Sequence, residues 1–295
     1  MNVSIPSLAT RAMLVYVSIS SWSARKLDKK QTQKTIKGAG ASSDAARVNK
    51  HLLANADSAL KAIQRKANQI RDYIDANTLP WDDAGNRLIS NDRALVVVGD
   101  IATLQTEFEA AIDDFIREYP VLRAQALANL GDMADDTDYP QPDQVRSKFK
   151  LSVSFNPLPE GFGDIRTGMS EVQAKAWQTH FEGAVKRQVN EALRAAYTRL
   201  AENLQRYSDR LRLKDDGSGA MERFRDTMVT SLRETLDLLA SLNVFGDAEL
   251  ERLLHEIRTN IATHDAEALR ASPTMAVLVK HEADEVLRRM QQFLV

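Results

Sequence analysis

The stretch SEVQAKAWQTHFEGAVKRQVNEALRAAYTRLAENLQRYSDRLRL, Ser170 to Leu213, decides the fold of this chain. Large side chains recur in it at Trp177, Phe181, Val185, Val189, Leu193, Tyr197, Leu200, Leu204, Tyr207 and Leu211. Every step is three or four residues, which places all of them on one stripe of a helix. Ser170 with Gln173 three residues later forms a capping box at its start. A helix of roughly 40 residues is about 60 Å long, and a stripe of that length needs a partner to cover it. The first half steps by fours, and only Tyr197 to Leu211 alternates threes and fours. That spacing predicts a broad contact at the Trp177 end and a narrower two-helix seam toward a tip at Gly217-Ser218-Gly219.

Downstream of that turn, Met221, Phe224, Met228, Leu232, Thr235, Leu239 and Leu242 form a returning stripe, broken at Val244-Phe245-Gly246. Asp247 caps another helix through Leu250, Leu254, Ile257 and Ile261, and Ser272-Pro273 opens a final one. The returning helix is about half as long as the first. The helix from Asp247, or an earlier one, must cover the rest.

Upstream, Leu14 to Ser20 and Phe149 to Phe155 alternate in the manner of strands. Neither can satisfy its backbone alone, so the two are expected to pair, with a third short strand at Arg87-Leu88-Ile89 or at Leu95 to Val98. Between them, Ser43-Asp44 caps an expected helix from Asp44 to Ala76 whose apolar stripe runs from Val48 to Ile74. Another runs from about Asp100 to Tyr119, where Pro120 ends or kinks it; a shorter one follows to Leu130, with Gly131 as its C-cap. The fold class is therefore mainly α, with long antiparallel helices in a hairpin or bundle and a small antiparallel β-sheet. The expected division is an N-terminal helical region with the sheet, residues 1–160, and a C-terminal long-helix region, 161–295.

The chain has 295 residues, a formal net charge of −2 and no cysteine. Disulfides, thiol chemistry and zinc–thiolate sites are thereby excluded, and no global charge drives it toward nucleic acid or anionic membrane. Arg11 and the apolar run Ala12 to Ile19 resemble a signal segment only loosely. The run is short, holds a serine, and leads into basic residues rather than a small-residue cleavage site. The expectation is a cytoplasmic protein with no membrane partner.

The best candidate binding feature is the basic segment Arg25, Lys26, Lys29, Lys30, Lys34 and Lys37, interrupted only by Asp28. If helical, Arg25, Lys26, Lys29 and Lys30 share a face that suits phosphates or an acidic protein surface. The opposing reading is a solvated face balanced by the acidic loop Asp132, Asp135, Asp136 and Asp138. Trp22 nearby either stacks on a base or anchors a strand-to-helix corner. A second candidate is the connector Gly161 to Gly168, where Gly161, Gly163, Arg166 and Gly168 precede a helix N-terminus and suit an anion. It misses the dinucleotide fingerprint, because Arg166 stands where the third glycine belongs, and no lysine makes it a Walker loop. His255-Glu256-Ile257-Arg258-Thr259 and His281-Glu282-Ala283-Asp284-Glu285 each lack the second histidine of a zincin helix. No nucleophile elbow is present, and neither catalytic residue, metal nor cofactor is expected.

Taken in order, LVYVSISSW (14–22), SARKLDKK (23–30), a long helix, FIREYP (115–120) and FKLSVSFNPLP (149–159) leading into the long helix resemble an uncharacterised family of phage and bacterial proteins known only as a domain of unknown function. The resemblance implies a phage or mobile-element origin, hence the host cytoplasm, and a genomic setting that often includes a MoxR-like AAA ATPase and a von Willebrand A-type protein. It transfers no catalytic residues. The functional expectation is a non-enzymatic scaffold or adaptor, homo-oligomeric, with an AAA ATPase as a conceivable protein partner. The alternative is a nucleic-acid-binding accessory factor acting through segment 25–37.

Overall fold

A computed structural model of the chain describes residues 8–54, 57–158, 170–214 and 222–294. In chain order its elements are β1 (Ala12–Ser20), β2 (Arg25–Leu27), α1 (Lys29–Ala39), β3 (Asn49–His51), α2 (Ser58–Asn77), β4 (Leu79–Pro80), β5 (Arg87–Ser90), α3 (Asn91–Leu130), α4 (Pro142–Arg146), β6 (Lys150–Pro157), α5 (Glu171–Arg210), α6 (Asp226–Leu242), α7 (Ala248–Asn260), α8 (Ala266–Ala271) and α9 (Pro273–Met290). The protein is mainly α with a small antiparallel sheet, as the periodicities predict. Two compact units divide it: residues 1–16, 77–97 and 154–295 form the first, and 17–76 and 98–153 the second.

The four-stranded sheet has the order β4-β5-β1-β6, so the two alternating segments lie side by side. The third strand is the Arg87 candidate: β5 runs antiparallel to β1, with Leu14 opposite Leu88, and antiparallel to β4. The other candidate, Leu95 to Val98, lies inside α3. Ala94, Val97 and Ile101 are buried at steps of three and four, and this period overrides the local β-branched run.

In the first unit α5 packs against both α6 and α9 and against β4. Cross-links show both helices antiparallel to it. Asn203 donates to Thr235 at 2.8 Å and the Tyr207 ring meets Phe224 edge-on, whereas Ser208 bonds Asp284 and Tyr197 stacks on Phe293 at 4.6 Å. From Val185 to Leu211 every position of the quoted stripe is buried; Phe181 is half-buried and Trp177 is exposed. The expected hairpin seam is therefore replaced by a bundle. Two helices of 17 and 18 residues share the cover of one with 40. At the Trp177 end, where the broad contact was expected, the stripe is the more exposed; residues 215–221, which hold the expected tip, lie outside those described.

Tyr207 is wholly buried in this core, and its hydroxyl has no hydrogen-bond partner among the described residues. Burial pushes its ionisation well above the ordinary tyrosine range. An orphaned buried hydroxyl costs stability. Tyr207→Phe should therefore raise stability by about 1 kcal/mol in urea denaturation; a loss would show that the hydroxyl is satisfied.

In the second unit α2 and α3 lie antiparallel, tied by Lys66 to Glu107 at 2.7 Å and by Tyr73 to Asp100. Two expectations fail here. The helix expected from Ser43 begins only at Ser58, because Asn49–His51 is drawn into a two-stranded ribbon with β2. Strand pairing wins over helix propensity in that stretch. Nor is there a separate shorter helix after Pro120: of the end or kink expected there the end is excluded, since α3 continues through it to Leu130. Phe115, Tyr119, Leu122 and Ala126 are buried in one unbroken stripe, and this packing carries the helix past the missing N–H. Gly131 follows at φ +50°, in the left-handed conformation expected of a C-cap.

Candidate interaction surfaces

The ribbon β2–β3 pairs Arg25 with His51, Lys26 with Lys50 and Leu27 with Asn49. Successive residues face opposite sides, so Lys26 and Lys50 stand together on one face. Both meet Asp138: Lys26 Nζ lies 2.7 Å from Oδ1, and Lys50 pairs with Oδ2 while donating to the Met133 carbonyl at 3.0 Å. The Lys50 and Asp138 side chains are 7% and 6% exposed. Burial opposes the charge on Asp138, but the hydrogen bonds and charges of the two lysines outweigh it and hold the carboxyl below its ordinary range. Arg25, Leu27, Asn49 and His51 occupy the other face, and all four are exposed.

Asp28 ends the ribbon and caps α1, accepting from Gln31 N at 2.9 Å. Thr32 ties the helix down: its hydroxyl donates to Asp28 O at 2.6 Å and accepts from Val48 N at 3.0 Å. Gly40, at φ +60°, supplies the left-handed C-cap. No residue of α1 is buried, and only Gln31, Thr32 and Ile36 are even half-covered. Lys30, Lys34 and Lys37 stand at i, i+4 and i+7 on one stripe, and Lys29 lies just outside it. At 100° per residue that stripe is roughly 150° around the helix from the Thr32–Ile36 side that anchors it.

The candidates can now be placed. Arg25 and Lys26 are strand residues, so the helical face they were expected to share with Lys29 and Lys30 does not exist. The acidic loop takes Lys26 through Asp138 and Arg123 through Asp136. Lys29, Lys30, Lys34 and Lys37 remain exposed on α1, and α1 itself contains no carboxylate. Trp22 is the corner anchor: it is buried, with its ring edge-on to Tyr119 at 5.8 Å and near Phe115. Gly161, Gly163, Arg166 and Gly168 lie outside the described residues. His281 sits 3.8 Å from Glu285 on α9. Among the described residues no three histidine or carboxylate side chains meet at metal distance.

Two polar clusters escape sequence reasoning, because long separations divide their members. Lys280 Nζ donates to the buried Ser208 hydroxyl at 2.8 Å, and Ser208 donates to Asp284. Asp284 also lies 3.1 Å from Lys280 Nζ, so the three side chains engage one another. The cluster clasps α5 to α9. In the second, Asp247 caps α7 through Leu250 N at 2.7 Å and accepts the Tyr197 hydroxyl at 2.8 Å, closing α5 onto the α6–α7 turn.

The remaining surface is the start of α5. The capping box is formed, with Ser170 Oγ accepting from Gln173 N at 3.3 Å and the Gln173 side chain accepting from Ser170 N at 3.0 Å. No described side chain before Phe181 is covered, and Val172 is 80% exposed.

Fold and surfaces together define a mainly α protein that exposes a lysine-bearing helix and, at the capped start of α5, Val172. The chain matches no family model, no curated protein and no solved structure.

Proposed function

We propose that the protein is a non-enzymatic helical adaptor that acts through protein–protein contacts, first with other copies of itself. The observation that carries this reading is the start of α5. The sequence caps α5 at Ser170 and leaves Val172, in its first turn, 80% exposed. An exposed apolar residue on an ordered helix suits helix-to-helix association. The MoxR-like AAA ATPase as further partner and the phage or mobile-element setting rest on the sequence resemblance alone.

Light scattering on the full chain tests the self-association. The expected mass is a multiple of 32.9 kDa. Val172→Glu should weaken the assembly roughly tenfold or more, since it removes apolar burial and puts a charge in the contact. Glutamate in the first helical turn favours the helix dipole, so folding is preserved. A single-chain mass at tens of micromolar, or a variant that assembles like the parent, would overturn the proposal.

A further inference from the structure

We infer that α1 and the ribbon beside it form a binding module for the phosphate backbone of double-stranded nucleic acid, read without regard to sequence. This goes beyond the adaptor function and does not depend on it. Lys30, Lys34 and Lys37 lie on the stripe opposite the side of α1 held by Thr32, and Lys29 on the helix and Arg25 on the ribbon are also exposed. Of the flanking carboxylates, Asp28 caps the helix, Asp138 is shared by Lys26 and Lys50, and the exposed Asp44 accepts from Ser42 Oγ. In a chain of net charge −2, the local surplus of cations over acids is a feature of this module.

The chemistry of the surface chooses among anionic partners. Protein interfaces concentrate aromatic residues and arginine at a dry core and are depleted in lysine. Residues 23–54 contain no phenylalanine, tyrosine or tryptophan, and α1 buries nothing. A helix that lies in a membrane surface needs a broad apolar face. Here the single large apolar residue of the helix, Ile36, is half-covered on the anchored side. Single strands are held largely by stacking on aromatic rings, and the one tryptophan close in sequence, Trp22, is buried against Tyr119 and Phe115. Flexible ammonium groups spaced along one helical stripe, with nothing to read a base, match the evenly charged duplex backbone.

The test is fluorescence anisotropy of the full chain with a labelled DNA duplex across a salt series. Unlabelled poly-dT, phosphatidylserine vesicles and poly-glutamate serve as competitors. About four to five phosphate contacts predict a slope near −4 in log K against log salt. Lys30→Gln/Lys34→Gln/Lys37→Gln should bring the slope down by about three and weaken low-salt binding by roughly a hundredfold. Circular dichroism should be unchanged, because none of the three side chains touches the core. No duplex binding at low salt, full binding by the triple variant, or stronger competition from vesicles, poly-glutamate or poly-dT than from duplex would each overturn the inference. None of these outcomes bears on the mass measurement that tests the adaptor reading.

Discussion

Asp138→Ala should destabilise the protein by about 3–5 kcal/mol in urea denaturation, the usual consequence of leaving one member of a buried ion pair behind. The member left is Lys50. Its side chain is 7% exposed, and without Asp138 its ammonium keeps, among the described residues, the Met133 carbonyl. Lys26, on the same carboxylate, is 49% exposed and can turn to water. Lys26→Ala should therefore cost less than about 1 kcal/mol. The pair of variants separates a buried charge from a surface bridge at a single carboxylate. Replacing both buried partners, Asp138→Leu with Lys50→Met, should recover much of the loss, because an apolar pair of similar volume avoids both desolvation penalties. Equal losses for Asp138→Ala and Lys26→Ala would show that Lys50 is not sealed as described.

The same carboxylate gives the stability a pH dependence of defined sign. Asp138 and Asp284 both titrate below the ordinary 3.8 in the folded protein, against the opposing effect of burial. Such groups bind protons more readily unfolded than folded. Their contribution is complete at neutral pH and falls away as the pH drops through 3.8 toward the folded values. In Asp138→Ala the acid limb of the stability curve should be shallower than in the parent.

How much was legible beforehand follows from range. The helices of the C-terminal half were readable because their apolar stripes repeat every three or four residues and their caps, Ser170, Asp247 and Ser272, are local chemistry. The strands at Leu14 and Lys150 were readable from alternation. The residues from Asp44 to His51 were not. Their fate depends on pairing with Arg25–Leu27, and that contact leaves no periodic trace in so short a run. Pro120 misled for a related reason: the local rule against proline yields to burial on both sides of it. For the lysine segment, sequence supplied the charges but not their sorting. That Lys26 turns inward while Lys30, Lys34 and Lys37 turn outward depends on where Asp138 and Thr32 stand. The clasps at Ser208 and Tyr197 join residues too far apart for any spacing rule to connect.

Leu204→Ala should cost about 3–4 kcal/mol, whereas Val172→Ala in the same helix should cost less than about 1 kcal/mol. Their surroundings differ. Leu204 has no exposed surface and lies among α6 side chains, beside the bond from Asn203 to Thr235 and one turn from the Tyr207–Phe224 contact. Truncating it removes apolar burial and leaves a cavity that two helices, fixed by their own cross-links, cannot easily close. Val172 is 80% exposed near the start of the helix. Truncating it opens no cavity, and alanine is the better helix former. Denaturation at low protein concentration, where self-association is absent, isolates this difference. Val172→Ala as costly as Leu204→Ala under those conditions would mean that the start of α5 is packed within its own chain, and would remove the surface on which the adaptor proposal stands. A small cost there, together with a weakened assembly at high concentration, would place the loss in the contact between copies.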